Sequence, residues 1–182
     1  MAVRATMAEL ISRMRTLIGD PAGASQVFDD QTIQDYLDRR QTVVRYAPLR
    51  AEGSPRSDGI VDYLDYYYAD LGDWEADETL CDASYVQLVP ASADRITGHW
   101  AFDTSQMPPV LIVGKTYDFY GAAADLLEAW AAKEKLGFDF DTDGQSFKRS
   151  QKAAALLALA REYRRQQRPV SVGMVRTDAN AY

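Results

Sequence analysis

The residues best suited to bind a ligand lie in the string DxDxDG, which holds Asp139, Asp141 and Asp143. Alternate carboxylates that converge on one point suit a hard cation, and the glycine allows the sharp turn of a calcium loop. However, Ser146 and Ser150 stand where such a loop has an apolar residue and a bidentate glutamate. We therefore expect a tight turn between two helices. The three aspartates remain weak candidates for a metal site.

Groups for nucleophilic or acid–base catalysis are scarce. The single histidine, His99, lies in a predicted strand, and the single cysteine, Cys81, is flanked by acids that raise the pKa of a thiol. One cysteine excludes an internal disulfide and a thiolate zinc cluster, and one histidine excludes a two-histidine metal site. The chain has no GxSxG, P-loop or GxGxxG motif. We therefore expect no enzyme activity, no catalytic residue and no cofactor.

Charge is distributed unevenly along the chain. The net charge is −7, so bulk charge does not recruit nucleic acid or an anionic membrane. Residues 58–82 carry nine acids and no Lys or Arg, whereas residues 148–168 carry seven bases and one acid. These segments are interpreted as two solvated surfaces, as complementary faces of neighbouring subunits, or as a DNA-facing helix. The basic residues on one helical face are Arg161, Arg164, Arg165 and Arg168.

The groups named above must be positioned by a chain that is predicted to be helical in its N-terminal and C-terminal parts. Apolar periodicity predicts helices over residues 7–18 and from a cap at Asp29 or Asp30. Two more are predicted over 116–136, with Thr116 as the cap, and over 149–167. We expect the last two to form an antiparallel hairpin on the first two. The longest apolar run, 153–160, is far shorter than the roughly 20 residues that a membrane helix needs.

The middle of the chain is rich in β-branched and aromatic residues between turn signals. The predicted fold class is therefore α+β: a four-helix bundle-like core with an inserted small antiparallel β region and an extended C-terminal tail. The core comprises 1–44 and 113–168, the insertion 45–112 and the tail 169–182. Candidate strands are 61–68, 85–89, 95–102 and 110–113.

Three strings, taken in order, resemble the head–tail connector proteins of tailed bacteriophages, which are also called adaptor or head-completion proteins. They are FDDQTIQDYL at 28–37, YDFYGAAADLL at 117–127 and FDFDTDGQSFKRSQ at 138–151. The resemblance implies a structural virion protein that forms a ring, usually a dodecamer, between the portal protein and the tail. It also implies that DNA passes through the lumen without sequence-specific binding, and that a tail terminator or other neck protein docks below.

The resemblance places the chain at the neck of the virion, assembled in the host cytoplasm, with no membrane partner. In such proteins the C-terminal segment reaches the portal, and here its alternate apolar residues are suited to adding a strand to a partner. Plain disorder of that segment is the alternative. The candidate interface residues are Val170, Val172, Met174, Val175, Arg176 and Tyr182.

Two other functions remain open from the sequence. One is a calcium-dependent binding module built on the DxDxDG loop. The other is a small nucleic-acid-binding protein that uses the basic C-terminal helix. An acidic pI of about 4.7 weakens the second alternative.

Overall fold

The computed structural model describes residues 2–68, 71–136, 140–142, 145–147 and 149–169. The helices are α1 (Ala8–Ile18), α2 (Asp30–Asp38), α3 (Phe119–Lys135) and α4 (Arg149–Gln166), and a 3-10 turn (Ala5–Met7) precedes α1. The strands are β1 (Gln41–Pro48), β2 (Arg50–Pro55), β3 (Val61–Tyr67), β4 (Thr79–Cys81), β5 (Gln87–Leu88), β6 (Ser92–Asp94), β7 (His99–Ala101), β8 (Leu111–Tyr117), β9 (Phe140–Thr142) and β10 (Gln145–Phe147).

Local sequence explains where the helices begin and end. α1 stops at Gly19, whose φ of 70° lies in the left-handed region that glycine adopts without steric cost. The Asp29 side chain caps α2 by accepting a 2.7 Å hydrogen bond from the Thr32 amide. α3 is capped by Asp118 and not by Thr116, because β8 continues through Thr116 to Tyr117.

Two antiparallel four-stranded sheets form the middle of the molecule. Their strand orders are β1-β8-β4-β5 and β2-β3-β7-β6. β1 pairs with β8 from Gln41 opposite Tyr117 to Pro48 opposite Leu111, with a bulge between Val44 and Ala47. A third, two-stranded sheet of β9 and β10 connects α3 to α4, where we predicted only a turn.

The buried residues form two clusters. The first joins the helices, and β8 adds Tyr117 to it. The second lies between the two large sheets and is rich in aromatic residues: the rings of Trp74 and Trp100 meet edge to face with centroids 5.5 Å apart. The β-rich part therefore has its own apolar core.

The predicted four-helix bundle-like core is wrong. The sheets make up a substantial part of the fold, and residues 41–44 and 113–117, which we assigned to the helical core, belong to strands. Helical periodicity is local, whereas β1 finds its partner strand about 65 to 75 residues further along the chain. α3 and α4 do form an antiparallel pair, with Lys152 bonded to Glu134 at one end and Arg164 to Glu128 at the other.

Candidate functional site

The two residues with reactive side chains are placed in structural roles. The His99 ring stacks on Tyr67 with centroids 4.4 Å apart, and its Nε2 lies 2.8 Å from an oxygen of Asp65. Cys81 is buried, and burial, with the nearby Asp82 charge, raises the pKa of its thiol. His99 is therefore held by a stacked ring and a carboxylate, and Cys81 is held by burial.

A buried carboxylate, Glu75, lies between the N-terminal turn and the sheets. Its side chain is 0% exposed and accepts hydrogen bonds from the Thr6 hydroxyl at 2.6 Å, Arg4 Nε at 2.8 Å and the Tyr117 hydroxyl at 2.5 Å. Lys115 Nζ lies 3.3 Å from it. Arg4 is held in turn by both oxygens of Asp38. This network ties α2, the N-terminal turn and β8 together.

The donors around Glu75 determine its ionisation. Burial raises the pKa of this carboxyl, but the hydrogen bonds from Thr6, Tyr117 and Arg4 outweigh burial and lower the pKa to about 2. Burial, followed by the hydrogen bond to Glu75, raises the pKa of the Tyr117 hydroxyl. A carboxylate that is fully ionised and surrounded by protein donors has no room for a substrate. Glu75 is therefore a structural group.

Several acids of segment 58–82 form ion pairs within the chain. Asp73 pairs with Arg13 at 2.9 Å, and Glu78 pairs with Arg95 at 2.9 Å. The other ion pairs described for this segment are Asp58 and Asp62 with Arg56, Asp65 with His99 when it is protonated, Asp73 with Arg168, Glu75 with Arg4 and Lys115, and Asp77 with Lys115. Part of the acidic charge of this segment is therefore balanced by bases of the same chain.

The basic face of α4 divides into two pairs. Arg161 and Arg165 are exposed, and Arg165 pairs only with Glu162 one turn earlier. Arg164 instead reaches α3, where it bonds Asp125 and Glu128. Arg168 turns inward towards β8. The expected single surface of four arginines therefore reduces, in the structure, to Arg161 and Arg165.

Arg168 fixes the place where the described chain ends. Its amide donates to Asp118 Oδ1 at 3.1 Å, its Nη1 to the Thr116 hydroxyl at 2.9 Å and its Nη2 to the Gly72 carbonyl at 2.6 Å. Burial lowers the pKa of its guanidinium, and the Asp73 and Asp118 charges oppose this. Asp118 also accepts from the Gly121 amide at 3.1 Å. We call Gly72, Thr116, Asp118 and Arg168 the C-terminal anchor.

The sequence-predicted site residues are only partly covered by the structure. Asp141 lies in β9, whereas Asp139 and Asp143 fall outside the described residues. Among those that are described, no group of three or more His, Cys, Asp and Glu side chains is placed to hold a metal ion. The predicted portal-binding residues also fall outside, namely Val170, Val172, Met174, Val175, Arg176 and Tyr182.

The C-terminal anchor and the Glu75 network were not predicted from the sequence. Asp118 was recognisable, because an aspartate just before the apolar stripe of α3 is a good N-cap. Glu75 carried no such signal, since its partners Arg4 and Tyr117 lie 71 and 42 positions away.

Comparison with protein-family models, curated proteins and solved structures finds no match for this chain. Within the described part, none of the helices combines the length and the apolar character that crossing a membrane requires.

Proposed function

We propose that this chain is a head–tail connector of tailed bacteriophages, a structural virion protein that forms a ring between the portal protein and the tail. The observation that carries the proposal is the C-terminal anchor. Four hydrogen bonds at Arg168 and Asp118 fix the position of Arg168, which precedes residues 170–182 in the sequence. A fixed exit point suits a segment that must reach a partner in a repeating assembly, because it reduces the conformational entropy lost on binding.

The strings that carry the resemblance support the proposal through the elements that they form. Residues 28–37 supply the cap and body of α2, and residues 117–127 supply the cap and first turns of α3. The side-chain contacts also support a structural role, because Glu75, His99 and Cys81 are held by contacts within the fold. In this proposal the ring is a dodecamer at the virion neck, assembled in the host cytoplasm, and DNA passes through without sequence-specific contacts.

The β-rich part is the proposed surface for neighbouring subunits or for a tail terminator. Exposed apolar side chains that cluster on a surface mark protein contacts more often than exposed charges do. Tyr46 and Tyr85 pack edge to face with centroids 5.2 Å apart while remaining 55% and 67% exposed. Val43 and Val86 are also exposed, at 53% and 59%. These side chains would be covered in the ring.

Binding to the portal protein of the same phage tests the proposal. We would mix the purified full chain with portal rings and measure the mass of the complex by light scattering. Association at a fixed stoichiometry supports a connector, whereas no association contradicts it. A chain truncated after Arg168 should still fold cooperatively and fail to bind. The double variant Arg161→Ala, Arg165→Ala should bind normally, and its failure to do so would point to the basic helix as the portal contact.

A further inference from the structure

An open groove lies between the outer side of α1 and the first turn of α3. Its volume is about 340 Å³. Its lining includes Arg13, Thr16, Leu17, Asp73, Phe119 and Tyr120. Tyr120 is 38% exposed there, although its ring also contacts Tyr163.

The groove has an apolar floor and a polar edge whose charges are already paired. Leu17, Phe119 and Tyr120 supply the apolar surface. At the edge, the Arg13 guanidinium lies 4.6 Å from the centre of the Phe119 ring and pairs with Asp73 at 2.9 Å. Because these charges are paired, an occupant needs apolar side chains and no counter-charge of its own.

The described chain ends beside this groove. Arg168 Nη2 lies 3.8 Å from Asp73, which lines the groove, and the Arg168 amide bonds Asp118, the residue before Phe119. Thirteen residues follow Pro169. An extended residue spans about 3.3–3.6 Å, so a few residues are long enough to span the groove.

We propose that the C-terminal segment of the same chain occupies this groove, with Val170 and Val172 against Leu17, Phe119 and Tyr120. Alternate side chains of an extended segment point the same way, so the two valines share a face and Ser171 faces outward. Because Arg168 is tethered at the edge of the groove, docking is intramolecular and occurs at a high effective concentration. The inference concerns the free chain and is independent of the proposed connector role.

Paramagnetic broadening tests the proposal in the full chain. A nitroxide would be attached to Val172→Cys, with Met174→Cys as a second labelling position. Cys81 is 5% exposed, and the wild-type chain treated with the same reagent reports any labelling there. We expect the amide signals of Thr16, Leu17 and Tyr120 to lose intensity until the nitroxide is reduced. Signals of β5 should not change.

Two further samples identify the occupant. Thr16→Arg in the labelled chain places a long side chain in the groove and should restore the lost signals, whereas Ala132→Arg, an exposed position on α3, should not. In a mixture of nitroxide-labelled chains without isotope and isotope-enriched chains without nitroxide, the groove signals of the enriched chains should keep full intensity. Groove signals unaffected by both labels would overturn the proposal. So would equal broadening in the mixture, because the occupant would then be a second copy of the chain.

Discussion

The Tyr117 hydroxyl donates a 2.5 Å hydrogen bond to the buried carboxylate of Glu75, and both side chains are 0% exposed. Tyr117 is the last residue of β8 and belongs to the apolar cluster of the helices, whereas Glu75 follows Trp74 of the β-rich cluster. This single contact therefore joins the two cores, and its strength affects the stability of both.

Replacing Glu75 should destabilise the protein strongly. Glu75→Gln removes the buried charge that Arg4 and Lys115 face and weakens the hydrogen bonds that Thr6 and Tyr117 donate to it, and losing such charge-assisted bonds costs about 3 kcal/mol. The measurement is the free energy of unfolding in urea. Asp77→Asn is the matched control, because Asp77 pairs with Lys115 at an exposed site, and it should cost about 1 kcal/mol or less. Equal losses for the two variants would contradict the role of Glu75.

Acid should weaken the fold through the same residue. The pKa of Glu75 is about 2 in the folded protein and 4.5 as a free side chain, so its stabilisation is complete above pH 4.5. It is lost as the pH falls from 4.5 towards 2, by roughly 3 kcal/mol in all. The free energy of unfolding, measured in urea at several pH values in this range, should fall steeply with decreasing pH for the wild type and less steeply for Glu75→Gln. If the unfolding free energy of both proteins depends on pH in the same way, other carboxyls cause the acid sensitivity.

Gly72 should not tolerate a side chain. A Cβ at this position would collide with the backbone carbonyl oxygen of Ile96, which cannot rotate away. We expect Gly72→Ala to lower the unfolding free energy by about 2 kcal/mol or more. Gly53→Ala is the control, because the nearest atoms there belong to the Val61 and Tyr63 side chains, which can shift. A Gly72→Ala protein as stable as the control would show that the turn is not closely packed.

Removing the Arg168 side chain should reduce binding to the portal more than it reduces stability. Arg168→Ala loses the hydrogen bonds to Gly72 and Thr116, at a cost of about 1–3 kcal/mol, and releases the exit point of the C-terminal segment. Arg165→Ala, on the exposed side of α4, is the control. Titration against portal rings should show weaker binding only for Arg168→Ala. Unchanged affinity would mean that the anchor does not contribute to the contact.

Calcium should leave the melting temperature unchanged. Position 12 of a calcium loop that starts at Asp139 is Ser150, which lies in the first turn of α4 and lacks a carboxylate. Thermal melts in millimolar calcium and in chelator should coincide. A rise that the chelator reverses, and that Asp141→Ala abolishes but Asp35→Ala does not, would establish a calcium site.

The elements predicted well from sequence are those set by neighbouring residues. The apolar stripe and Gly19 gave α1, and Asp29 gave the start of α2, because caps and helical periods act within a few positions. β3 was found for a similar reason, since aromatic and β-branched residues run through it between two turns.

The sheets and the polar clusters could not be found in this way. β1 carries arginine and proline and has no clear alternation, and its bulge places Tyr46 at a positive φ of 49°. The acidic segment 58–82 looked like a solvated surface because the bases that neutralise it, such as Arg4 and Lys115, are distant in the chain. Only the tertiary fold brings these charges together.

Asp118 holds both the beginning of α3 and the second residue after α4, through the Gly121 and Arg168 amides. Helix ends usually fray independently of one another. Here a single carboxylate accepts from both ends, so unwinding at the start of α3 displaces the acceptor of the Arg168 amide. The open end of the hairpin therefore behaves as one cooperative unit, and a pull on the C-terminus is transmitted through Asp118 to the first turn of α3.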